Sequence, residues 1–79
     1  MKRNEILEKV NEVFIDVLEE EVLIKEEYSS DDVDGWDSLT HIMLIVEIEK
    51  NLQVKFLSSE IVSWKNVGEM IDCINEKLK

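Results

Sequence analysis

The chain has no proline, two glycines, one cysteine and nine basic residues in 79. The lone Cys73 excludes an internal disulfide and a cysteine-based zinc site within one chain, so stability has to come from packing. The shortage of lysine and arginine against 19 acidic residues leaves a net charge of −10. Such a balance repels nucleic-acid phosphates and anionic lipid headgroups and favours partners with basic patches. Long apolar runs are missing as well. The longest, Ile42 to Val46, falls far short of the roughly 20 residues a membrane span requires. The start, Met1-Lys2-Arg3-Asn4-Glu5, leads into mixed apolar and charged sequence without the apolar segment of a cleavable secretory signal. The chain therefore reads as cytoplasmic. Its length implies one small domain, residues 1–79, that buries about 60–65% of its unfolded surface and has little room for an enclosed active site.

What is present is helical periodicity. Ile6, Leu7, Val10, Val13, Phe14, Val17 and Leu18 fall on one face at 100° per residue, with Glu5, Glu8, Glu12 and Asp16 opposite, which predicts a first helix over 3–18. Residues 19–37 then hold nine acids against Lys25 alone, a local net charge of −8. A connector this long in a compact domain usually serves a purpose. Val22, Leu23 and Ile24 are expected to tuck part of it onto the core, and Asp34-Gly35 supplies a turn. A second helix runs from Ser38 to about Asn51, uninterrupted by glycine or proline.

That second helix is apolar on two sides. Leu44, Ile45, Ile48 and Leu52 share an inward face with His41 beside them, whereas Leu39, Ile42, Met43 and Val46 form a second stripe roughly opposite. A small domain has only one core to cover, so the second stripe is expected to be exposed for docking. The stretch Leu52 to Leu57 alternates apolar and polar residues but has no partner strand and reads as loop. Ser58 or Ser59 is expected to cap a short third helix through about Ser63. Asn66 with Glu69 resembles a capping box before a last helix whose face is Val67, Met70, Ile71, Ile74 and Leu78. Gly68 lowers the intrinsic helicity of that helix by roughly 1 kcal/mol relative to alanine.

The most informative motif is Asp37-Ser38-Leu39, which places a hydroxyl where the acidic connector becomes the apolar second helix. A helix start presents backbone N–H groups with no intrahelical partner and the positive end of the macrodipole, a favourable place for a phosphate ester. The bland alternative makes Ser38 an N-cap. His41, one turn along, invites a serine-hydrolase reading, but no orienting acid or oxyanion loop accompanies it. A structural histidine at the rim of the core is the better reading. A calcium loop over Asp31 to Asp37 fails because aligning Gly35 with the sixth-position glycine puts His41 where an acid is needed. Trp36 and Trp64 read as packing residues around loop ends, and Cys73 as a partly exposed, non-catalytic thiol.

A short acidic chain, Asp-Ser-Leu at the loop-to-helix junction and this order of helices together resemble the acyl carrier proteins, the phosphopantetheine-binding carriers, over the whole chain. The resemblance implies an all-α fold: a four-helix bundle with three main helices, a short third helix and a long loop between helices one and two. It implies that Ser38 receives 4′-phosphopantetheine from coenzyme A through a phosphopantetheinyl transferase, and that the arm then holds acyl groups as thioesters. Asp37 would present the serine to the transferase. Leu39, Ile42, Met43, Val46 and Glu47 would meet acyl-loading and acyl-processing enzymes carrying basic docking patches. The protein would be a non-catalytic, monomeric carrier. Housekeeping fatty-acid carriers usually have a small residue where Trp36 stands and acids where Met43 and Lys50 stand. Gly35-Trp36-Asp37-Ser38-Leu39-Thr40-His41 looks more like stand-alone carriers of specialised pathways, including secondary metabolism and surface-polysaccharide assembly. The rival readings are an aminoacyl- or peptidyl-type carrier and an unmodified acidic protein–protein adaptor.

Overall fold

The computed structural model describes residues 2–79. Four helices follow in chain order: α1 Arg3–Leu18, α2 Ser38–Leu52, α3 Ser58–Ile61 and α4 Val67–Leu78, with one 3₁₀ turn, Ser30–Asp32, inside the long connector. No strand occurs among the described residues, so the all-α, four-helix architecture is as expected. No helix among them is long and apolar enough to cross a membrane.

The periodicities settle on one core. Ile6, Val10, Val13 and Phe14 of α1 meet Leu44 and Ile48 of α2 and Val67, Met70, Ile71 and Ile74 of α4, all buried. Each fully enclosed aliphatic or aromatic side chain of this set contributes about 1.5–3 kcal/mol by leaving water. The charged face of α1, with Glu5, Glu8, Glu12 and Asp16, is exposed. α1 and α2 end at Glu19 and Gln53, which both take left-handed backbone at φ 56° and 54°, a C-terminal conformation that this glycine-poor chain reaches with ordinary residues.

The connector is pinned by groups the periodicity does not reveal. Asn11 on α1 donates Nδ2–H to Val22 O at 3.1 Å and accepts from Ile24 N–H through Oδ1 at 2.7 Å. This pairing turns Ile24 into the core at 3% exposure. Leu23, expected to tuck in as well, instead points outward at 77% exposure; in extended chain, neighbouring side chains face opposite ways. Further along, the carbonyls of Glu26 and Tyr28 accept from Gly68 N–H at 2.7 Å and Val67 N–H at 2.9 Å, which satisfies two otherwise orphaned donors of the first turn of α4. Gly68 is thus more than a weak helix former. A Cβ there would lie 3.2 Å from Glu26 O, so the glycine admits the close approach of the connector. Arg3 locks the same seam, with its guanidinium reaching Glu26, Asp72 and Gly68 O. We expect Asn11→Ala to cost about 1–3 kcal/mol, because two backbone groups lose their partner; denaturant unfolding checks this, and an unchanged midpoint would remove Asn11 as the pin.

α3 departs from expectation. Its N-cap is Leu57, in extended backbone, and no side chain of Ser58 or Ser59 caps it. The Glu60 carboxylate reaches back to accept from Leu57 N–H at 2.8 Å. The helix ends at Ile61 and buries none of its residues. At the start of α4, Asn66 Oδ1 accepts from Glu69 N–H at 2.9 Å as expected, but the Glu69 carboxylate accepts from Lys65 N–H at 3.1 Å rather than from Asn66 N–H.

Candidate functional site

The connector delivers its last residues to α2 through a turn. Gly35 at φ 87° has the left-handed geometry that favours glycine, and Trp36 N–H donates to Val33 O at 3.2 Å across the turn. Val33 and Trp36 are buried, which anchors the turn while Asp34, Gly35, Asp37 and Ser38 stay exposed. The capping role falls to Asp37 and not to Ser38. Asp37 Oδ1 accepts from Thr40 N–H at 2.9 Å, and Thr40 Oγ1 accepts from Asp37 N–H at 2.8 Å, a reciprocal box. Thr40 Oγ1–H has two acceptors within reach, Gly35 O at 2.7 Å and the Asp37 carboxylate at 3.1 Å. Ser38 becomes the first helical residue of α2, and its exposed hydroxyl is not drawn into the cap.

Hydrogen bonding to the Thr40 backbone N–H, and then to the Thr40 hydroxyl, holds the Asp37 carboxyl below its ordinary range. A lowered carboxylate contributes stability above its unfolded value and loses it as pH falls through the folded value. We therefore expect the first turn of α2 to loosen only below about pH 4, and Asp37→Asn to flatten that part of the acid limb. Amide exchange at Thr40 followed against pH is the measurement; a loosening already near neutral pH would contradict this cap.

Beside Ser38 lies a cleft of about 370 Å³, bounded by Trp36, Asp37 and His41 on one side and by Ile61, Trp64 and Lys65 on the other. His41 is half-buried there. Its Nδ1 accepts from Trp36 Nε1–H at 3.0 Å, which leaves Nε2–H to donate to Ile61 O at 3.1 Å. The ring stacks on Trp36 at 5.9 Å and meets Trp64 edge-on at 6.0 Å. With both nitrogens engaged, His41 is not poised as a base for Ser38, and the structural reading of this histidine and of both tryptophans agrees with the geometry. Sequence reasoning did not foresee that His41 and Trp64, 23 positions apart, share this cluster; no local spacing signals it.

The second stripe of α2 is open as expected. Leu39 is 72% exposed, Ile42 53%, Met43 45% and Val46 48%, against 0% for Leu44 and Ile48. Ile42, Met43 and Val46 form one wall of a depression of about 610 Å³ whose other side is the end of α1, with Val17 as its apolar residue and Asp16, Glu19 and Glu47 at its acidic rim. The α1 contribution was missed because Val17 lies on the helix's apolar face, which reads as core. Leu39 stands apart from this depression, beside Ser38.

Cys73 is half-buried, with its thiol 3.6 Å from a Glu60 carboxylate oxygen. Burial, then the negative charge of Glu60, pushes the thiol above its ordinary range despite nearby Lys77. Lys77 is paired with Glu60 at 2.9 Å. The sulfur is therefore a poor nucleophile at neutral pH.

Known proteins share this fold. A solution NMR structure of a holo acyl carrier protein from Geobacter metallireducens superposes with a TM-score of 0.84 at 35% identity, covering 92% of this chain and 85% of that one. Fold and likeness define the class, a four-helix carrier bundle. The acyl carrier protein of Thermosynechococcus vestitus is 32% identical over 80 residues, spanning 99% of this chain and 98% of that protein. The chain belongs to the acyl carrier protein family. No family model matches it.

Proposed function

We propose that residues 1–79 form one carrier unit whose Ser38 accepts 4′-phosphopantetheine and thereby carries acyl groups between enzymes. The observation that bears most weight is the uncommitted, exposed hydroxyl on the first turn of α2, beside a carboxylate already occupied by the cap. The residues fit the group. The backbone N–H groups of the first turn and the dipole of a 15-residue helix favour a phosphodiester, and the adjoining cleft offers polar edges and aromatic faces along which an arm can lie.

Attachment needs a separate transferase. Ser38 Oγ attacks the phosphorus that bears the pantetheine group of coenzyme A, the bond to 3′,5′-adenosine bisphosphate breaks, and the serine proton passes to the transferase. Asp37 presents the serine by fixing the start of α2. When bound, the arm supplies a terminal thiol on which acyl groups are held as thioesters. This chain provides position, and the visiting enzymes provide catalysis. Leu39, Ile42, Met43 and Val46 give such enzymes a small apolar contact, while Glu47 and the neighbouring acids steer basic surfaces toward it. The charge, which turns away nucleic acid, and the reliance on partners fit a cytoplasmic, monomeric shuttle with no catalytic residues of its own.

Incubation of the apo chain with coenzyme A and a broad-specificity phosphopantetheinyl transferase should add the mass of one arm. An unchanged mass beside a positive-control carrier would leave the acidic adaptor as the better reading.

A further inference from the structure

The cleft beside Ser38, between the start of α2 and α3, is backed by a set of rings. Trp36 is only 9% exposed. It packs edge-on against buried Phe14 at 5.0 Å and stacks on His41, which meets Trp64, which in turn meets Phe56 edge-on at 5.2 Å. These contacts make a continuous aromatic row from the centre of the molecule to its surface.

Helix α3 is also tied on both sides. Having four residues and none buried, it holds its place through polar links: Ile61 O to His41 of α2, and Glu60 to Lys77 of α4. Just before it, Phe56 N–H donates to the Glu49 carboxylate of α2 at 3.0 Å. Admitting an alkyl chain between α2 and α3 would break the Trp36–His41 and His41–Ile61 hydrogen bonds and part the stacked rings. The donors and acceptors so exposed would face hydrocarbon, which offers them no partner.

Resting on the reading of Ser38 as the attachment point, we propose that Trp36, His41 and Trp64 form a wall that bars cargo from the helical core, so that the carrier serves short or polar acyl groups held in the surface cleft and does not fold a long alkyl chain inside. The cleft suits such cargo. Its lining includes Ser30, Lys65 and Asn66 along with the aromatic side chains, and polar groups on a half-open surface bind amides and hydroxyls better than methylene chains. The wall acts by exclusion.

The test compares two acylated forms of the full chain, made by transferring acetyl- or octanoyl-phosphopantetheine from the corresponding coenzyme A thioester onto Ser38. Hydroxylamine cleavage of the thioester and the thermal midpoint are then read for each. In the natural chain the two forms should cleave within about twofold of one another and melt together, because neither cargo is buried. In Trp64→Leu the octanoyl form should become protected by about fivefold or more relative to acetyl and melt higher. Should Trp64→Leu fail to fold, His41→Leu, which removes one ring and both hydrogen bonds, replaces it with the same expectation. Octanoyl protection in the natural chain would overturn the proposal, as would variants that fold and still leave both cargoes equally exposed. A chain that accepts neither arm would instead count against the assignment of Ser38, so the two failures are distinguishable by intact mass.

Discussion

Ser38→Ala is expected to abolish arm attachment completely while leaving the unfolding midpoint almost unmoved. The separation of these effects comes from the register of the cap. Asp37 occupies the N-cap and accepts from Thr40 N–H, so Ser38 at the first helical position gives up no helix-stabilising hydrogen bond when its hydroxyl is removed. Alanine is the best helix former, and an exposed substitution of this kind stays within about 0.5 kcal/mol. Were Ser38 the cap, the same change would cost about 1 kcal/mol. The nearby Thr40 hydroxyl does not stand in, since it is held by Gly35 O and by the cap itself. Intact mass after transferase treatment, with denaturant unfolding of the same sample, checks both halves. A Ser38→Ala chain that still gains the arm would move the attachment point elsewhere.

Phe14→Ala is expected to be the most destabilising single change, at about 3–5 kcal/mol. Phe14 is fully enclosed and supports Trp36 edge-on at 5.0 Å. A domain of this size has a total stability at the lower end of the usual range of about 5–15 kcal/mol, so the loss leaves little in reserve. The damage should also travel to the site. Trp36 lies two residues before Ser38 and carries the His41 contact, so the Gly35 turn loses its anchor as well as the core losing a ring. Phe14→Leu, which refills most of the volume, should cost less than about 1.5 kcal/mol. Near-UV circular dichroism reports Trp36 and Trp64, and denaturant midpoints report the total. Equal costs for the two substitutions would show that the ring-on-ring support of Trp36 matters more than the volume filled.

Helix α1 was legible to the residue because its apolar face and its acidic face both repeat at the helical period over 16 residues. The exposed stripe of α2 was legible for the same reason: two apolar faces on one helix cannot both be buried in a bundle this small. The cap of α2 was not. Asp37 and Ser38 are adjacent and both residue types cap helices well, so only the extended backbone of Asp37 and the hydroxyl of Thr40 decide between them. The cap of α3 failed for a related reason, since Glu60 reaching back to Leu57 N–H satisfies the helix start without a serine.

Local periodicity and charge were enough to define a small acidic all-helical domain, and the Asp-Ser-Leu junction to mark its resemblance to the acyl carrier proteins, because each depends on residues within a turn or two of one another. The tertiary structure alone decided how the connector is held and what lines the cleft: Glu26 and Tyr28 closing the start of α4, Asn11 holding the connector, and His41 tied between Trp36 and Ile61 beside Trp64. Those contacts join residues far apart in the chain, and their geometry follows from how the helices pack rather than from any spacing along it.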